Sequence, residues 1–241
     1  MKNDQVNTSP LVYARIGGLA YLIIIITGAL GELFIRNAQV VPGNAAATAH
    51  NIAASPLLWR MGIAGDIMMH LFDLVLAMVY YYLFSRVHKN LARLSLFFGL
   101  VQTAVLVANK LNLFMPLFFS GNGAYLQAFT PEQLQALSYV AIRAHEYGFS
   151  IGLLFFGVSC LLDGYLVFRS GFLPKVLGIL LFAAGISYLF NSFVLILWPA
   201  GSDIIFPYIL APAFIGELSM SLWLLIKGIN LKKFNAWQAG V

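Results

Sequence analysis

Apolar residues fill six long runs, at 13–35, 57–84, 92–119, 144–168, 174–197 and 206–227, and the segments between them collect proline, glycine and charge. Each run supplies the roughly 20 residues that a helix rising about 1.5 Å per residue needs to cross a hydrocarbon core. Pro56, Pro174 and Pro207 stand near the starts of their runs, where a missing N–H costs least. Gly171-Phe172-Leu173-Pro174 parts the fourth run from the fifth. The pattern predicts an all-α, polytopic integral membrane protein: six transmembrane helices in one domain spanning 1–241, with no linker long enough to separate a second. Two connections carry helix signals of their own. Asn44 opens an alanine-rich stretch to Ala54, and Thr130-Pro131-Glu132-Gln133 has an N-cap, a proline at the first helical position and the glutamine of a capping box. Both are expected as short helices on the outer side.

Composition sharpens this reading. Hydrophobic residues make up 61% and charged residues 10%, and the mean hydropathy is +0.85. A soluble domain is nearer half apolar and a quarter charged, so a water-soluble globule, a disordered chain and a nucleic-acid binder are excluded. The lipid bilayer is the partner. A lone cysteine, Cys160, allows no intrachain disulfide. The net charge of +5 reflects anchoring residues between the runs. Lys2 and Arg15, then Arg86, Lys89 and Arg93, then Arg169 and Lys175, then Lys227, Lys232 and Lys233 fall on alternate connections, whereas the others hold only Arg36, Arg143 or nothing. The positive-inside rule then puts both termini in the cytoplasm, which an even number of spans requires, and makes this a multi-pass protein of the cell inner membrane. The first run exceeds the apolar region of a signal peptide, about 7–15 residues, and carries Glu32; it reads as an uncleaved helix, with Ala45-Ala46-Ala47 the one feature of a cleavage site.

Polar residues inside the runs carry the candidate chemistry. A charge near the bilayer centre costs about 2.5–3.5 kcal/mol on insertion scales, so such residues turn inward and find partners. Asp66, His70 and Asp73 share one face of the second run, His70 about 40° and Asp73 about 20° from Asp66, over roughly 10 Å of its axis. The third run holds Gln102, Asn109 and Asn112 on one stripe, with Lys110 adjacent. The fourth enters through Arg143, His145 and Glu146, and its His145 face continues through Ser159 to Asp163. Glu217 lies near the middle of the sixth run, Glu32 near the outer end of the first and Asn191 in the fifth. Together they predict an outward-opening pocket between the second, third, fourth and sixth spans, formed by Asp66, Asp73, Asn109, Asn112, His145, Glu217, Lys110 and Glu32. The aromatic residues near span ends, Trp59, Tyr80 to Tyr82, Trp198 and Trp223, read as interfacial belts.

Three chemistries fit. A carboxylate whose protonation depends on the side it faces suits the binding or transport of a small polar molecule or ion, although no inverted repeat is visible. A metal held by His70, Asp73 and His145, with Asp66 as base, would suit intramembrane hydrolysis; His-x-x-Asp is a weak motif, so a bound metal is not favoured. A structural or sensory role without catalysis needs only hydrogen bonds across helices. Whether the chain is an enzyme, and its oligomeric state, are left open by these residues.

Several strings together are similar to one known family. Ala14-Arg15-Ile16-Gly17-Gly18-Leu19-Ala20-Tyr21-Leu22 and Val41-Pro42-Gly43-Asn44-Ala45-Ala46-Ala47 match the opening of a bacterial family labelled domain of unknown function 4386. His145-Glu146-Tyr147-Gly148-Phe149, Arg169-Ser170-Gly171-Phe172-Leu173-Pro174-Lys175 and Pro212-Ala213-Phe214-Ile215-Gly216-Glu217-Leu218 extend the resemblance along nearly the whole chain. It implies a multi-pass membrane protein and supplies no reaction. Asp66, Asp73, Asn109, Asn112, His145 and Glu217 fit that family's pattern, whereas His70, Lys110 and Glu146 depart from it. The resemblance therefore favours a pocket of carboxylates and asparagines over a metal site that needs His70.

Overall fold

The computed structural model describes residues 9–238; Lys2, used above for orientation, lies outside them. The described residues are helical, with no strand among them. Six helices are long and apolar enough to cross a membrane: α1 (Pro10–Gln39), α3 (Pro56–Phe84), α4 (Lys89–Phe119), α5 (Pro131–Ser170), α6 (Lys175–Leu197) and α8 (Tyr208–Ile226). Among the described residues, short α-helices α2 (Ala45–Ala54), α7 (Pro199–Ile205) and α9 (Leu231–Gln238) lie outside the spans, with a 3-10 turn at Ala124–Ala128. The expected caps are present. Asn44 accepts from the Ala47 amide at the start of α2, and Thr130 and Gln133 bond reciprocally at the start of α5. The helix expected from Thr130 is not a separate piece; it runs unbroken into the fourth span, for about 60 Å at the α-helical rise. Gly171, at φ 69°, ends it in the left-handed conformation that glycine adopts without strain.

The spans form a closed ring. α1 packs on α3 and α8, α3 on α4, α4 on α5, α5 on α6, and α6 on α8. The α5–α6 seam is drawn tight by two glycine pairs in antiparallel register, Gly157 facing Gly185 and Gly164 facing Gly178. A Cβ on Gly178 would stand 2.6 Å from the Gly164 carbonyl oxygen, and one on Gly185 2.7 Å from that of Gly157. Without a hydrophobic drive between helices in lipid, such backbone contact is what close association rests on. Outward faces carry exposed Leu33, Phe34, Phe97 and Phe190, an apolar belt that no water-soluble monomer presents.

Two apolar clusters close the ring at its ends. At the end carrying α2, the upper end, Ile52, Trp59, Ile63, Leu113, Leu117 and Ile142 pack together. At the end carrying α9, a larger cluster includes Leu83, Phe84, Leu166, Phe172, Leu224 and Phe234. The Trp237 indole donates to the Ser170 carbonyl and fastens α9 beneath α5. Trp59 is not an interfacial anchor: it is buried, and its indole N–H donates to the Leu113 carbonyl at 2.7 Å. Tyr80 is buried as well. Polar side chains occupy the layer between the two clusters.

Candidate polar site within the bundle

Just below the upper apolar cluster, four helices contribute to one ionic network. Asp66 on α3 is fully buried and sits between two cations. Arg36 on α1 donates to it at 2.7 and 3.4 Å, and Lys110 on α4 at 2.9 Å. Arg36 also binds Glu32 at 2.6 Å, one turn away on the same helix. The Lys110 ammonium lies 3.3 Å from His145 Nε2 on α5. Lys110 has only donors, so that imidazole nitrogen accepts. Asn109 donates to the His145 carbonyl, and Asn112 donates to Asn109 Oδ1. Two acids and two bases leave the network neutral, the condition for holding charge away from water.

Local backbone irregularity delivers two of these groups. The α1 backbone widens into a π-helical stretch over Leu30–Arg36, an insertion that re-aims side chains. It carries the helix past the apolar run and turns Arg36 inward. In α4 the regular helix stops at Asn109 and resumes at Leu111. Pro116, lacking an N–H, leaves the Asn112 carbonyl without its helical donor. Lys110 sits at that break, buried beside the Phe149 ring.

A second group of polar residues lies lower. His70 Nδ1 and Asp73 Oδ2 are 2.9 Å apart, and Gln102 donates to the same oxygen at 3.3 Å. His70 Nε2 has no hydrogen-bond partner among the described residues. Glu217 on α8 accepts from the Tyr188 hydroxyl on α6 at 2.5 Å. Asp73 and Gln102 border a cavity of about 40 Å³ that also reaches Tyr21, Tyr80, Ser159 and Asp163. That volume exceeds the 10–15 Å³ one water requires. A smaller cavity of about 20 Å³ continues below, against Ser95, Ser159 and Asp163.

Of the residues expected in one pocket, six come together: Glu32, Asp66, Asn109, Lys110, Asn112 and His145. Asp73 and Glu217 stand apart from them, each with its own partners, and no hydrogen bond or ion pair among the described residues joins Asp66 to Glu217. Among the described residues α8 supplies no partner to the upper network; α1 takes the place expected of it. Arg36, counted in the sequence only as a loop charge, is the main missed residue, and its i,i+4 relation to Glu32 was the available signal. Arg143 pairs with Glu146 at the surface. The three-residue metal set is corrected: His70 and Asp73 are paired, but His145 faces Lys110, and no group of three metal-ligating side chains occurs among the described residues.

Residues 16–228 match the family model described as Domain of unknown function (DUF4386). The chain is similar to an uncharacterized protein of Archaeoglobus fulgidus, 27% identical over 171 residues that cover 71% of this chain and 86% of that protein. No solved structure matches.

Proposed function

The chain belongs to the domain of unknown function 4386 family, and from that premise we propose that it is an inner-membrane protein with cytoplasmic termini whose polar interior binds a small polar molecule or ion and moves it across the membrane. The observation that carries this reading is the continuity of polar groups with depth. From His145 to Asp163, α5 advances about 27 Å, close to the thickness of the hydrocarbon core. Along that distance lie Lys110 and Asp66, then His70, Asp73 and Gln102, then Ser159, Asp163 and Ser95, contributed by three neighbouring helices. Polar side chains that only glued helices together would need no such file, nor cavities beside it.

The cavities are of water size, which limits the cargo in this closed conformation to a small ion or its equivalent. The expected pocket on the outer side is filled by its own side chains: the Asp66 knot and the Trp59 cluster close it. Opening requires the knot to exchange partners, Asp66 giving up a cation or taking a proton.

Purified protein in liposomes loaded with a pH-sensitive dye tests this. With a potassium diffusion potential or a sodium gradient imposed, the protein should produce a pH change that empty liposomes lack, and Asp66→Asn or Asp73→Asn should reduce it about tenfold or more. Flux equal to that of empty liposomes under both gradients refutes transport.

A further inference from the structure

The lower end of the polar file holds a cluster that none of the expected site residues belongs to. Asp163 on α5 accepts from the Ser95 hydroxyl of α4 at 2.7 Å. The Ser95 and Ser159 hydroxyl oxygens are 2.9 Å apart, and Ser159 lies 3.2 Å from the Ser95 carbonyl oxygen and 3.5 Å from the second Asp163 oxygen. All three side chains are buried, and among the described residues Asp163 has no basic partner in an ion pair. The five oxygens present lone pairs towards one another, with only two hydroxyl protons to place between them. That is a surplus of acceptors.

An independent observation lies across the cavity. The Tyr80 hydroxyl of α3 is buried with no hydrogen-bond partner among the described residues, and Tyr80 borders both cavities together with Ser159 and Asp163. A phenol oxygen left without a bond in an apolar bundle costs free energy unless something occupies the space it faces.

We propose that Asp163, Ser95, Ser159, the Ser95 carbonyl and Tyr80 form a binding site for a small monovalent cation, of which sodium is the representative. Hard cations take oxygen ligands, and carboxylate, hydroxyl and carbonyl oxygens are the set assembled here. One carboxylate matches one positive charge. A divalent ion would leave an uncompensated charge in a low-dielectric interior. The site lies about 10 Å above the lower end of α5, seven residues before Ser170, within reach of the cytoplasmic side under the proposed orientation. This deepens the transport reading by naming the class of ion, but binding itself does not depend on transport.

The test is thermal unfolding of the full chain in detergent at fixed pH and ionic strength, in sodium, potassium or choline chloride. Sodium should raise the midpoint of the wild-type protein above both other salts in a saturable way. Asp163→Asn should abolish the rise, and Ser159→Ala should move half-saturation about tenfold higher in sodium. If Asp163→Asn does not fold, Ser159→Ala and Tyr80→Phe decide. Equal midpoints in sodium and choline, an equal rise in potassium, or an unchanged response in the variants overturns the site. Sodium binding without flux in liposomes would remove the carrier and leave the site standing; flux without sodium binding would do the reverse.

Discussion

Removing Asp66 should do more damage than removing either of its partners, and removing a partner with it should repair much of that damage. Asp66 is fully buried and Lys110 is 2% exposed, whereas Glu32 is 45% exposed. In Asp66→Asn, Arg36 retains Glu32, but Lys110 is left with a neutral imidazole and the Phe149 ring. Stripping one partner from a buried ion pair costs about 3–5 kcal/mol, because the remaining charge is uncompensated. In Lys110→Met, Asp66 keeps Arg36, and the surplus negative charge falls to half-exposed Glu32, which water can solvate. That change should cost about 1–3 kcal/mol. Asp66→Asn/Lys110→Met leaves only the Glu32–Arg36 pair, so the double variant should be more stable than the sum of the singles by about 2 kcal/mol. Reversible unfolding in dodecyl maltoside titrated with sodium dodecyl sulfate measures all four corners of the cycle. Additivity within about 0.5 kcal/mol, or Asp66→Asn as stable as wild type, would refute an ionic knot in the protein interior.

The α5–α6 seam should not accept side chains: Gly178→Leu drives atoms into the Gly164 carbonyl and the Phe168 backbone and should cost about 3 kcal/mol or more. Size-exclusion chromatography in detergent checks it, a monodisperse profile with an unchanged melting midpoint being the contrary result. Orientation is tested in a Cys160→Ala background. His50→Cys should react with a membrane-impermeant maleimide on intact spheroplasts, and His88→Cys only after permeabilisation; the opposite labelling overturns the cytoplasmic termini.

Span number, helix type and the inward-facing stripes were legible because apolar run length and the 3.6-residue period directly encode them. Thr130 and Asn44 announced their helices for the same local reason: a cap is a contact between residues three apart. The failures share one cause. Ending the first helix where its apolar run stopped left Arg36 outside, yet the helix continues through a π turn that no hydropathy count detects. Trp59 and Tyr80 near span ends resembled interfacial aromatics, but their burial depends on which helices face them. A periodicity gives the face and depth of a side chain, never the identity of the neighbour across the seam. Asp66, Asp73 and Glu217 therefore looked like lodgers of one chamber, whereas ring order gives Asp66 to α1 and α4, Asp73 to its own His70 and to Gln102, and Glu217 to Tyr188 on α6.

That partition bears on how a polar interior can work in lipid. The upper acids are neutralised by fixed cations, so changing their state requires an ion pair to open, a step with a barrier of several kcal/mol. The lower acids, Asp73, Asp163 and Glu217, are met by a histidine, an amide and hydroxyls, and no lysine or arginine is paired with them among the described residues. In the proposed reading, the lower layer is where a mobile cation would find a carboxylate to balance it. An arrangement with cations at both levels would be a static scaffold, and one with cations at neither level would not insert cheaply. Under the proposed reading, a neutralised upper lock above a lower layer without fixed cations would let the lower layer bind an ion while the upper one holds the bundle shut. In that case neutralising Asp163 should leave the Asp66–Lys110 coupling energy unchanged while removing the sodium response. Loss of both together would mean that the two layers are one electrostatic unit.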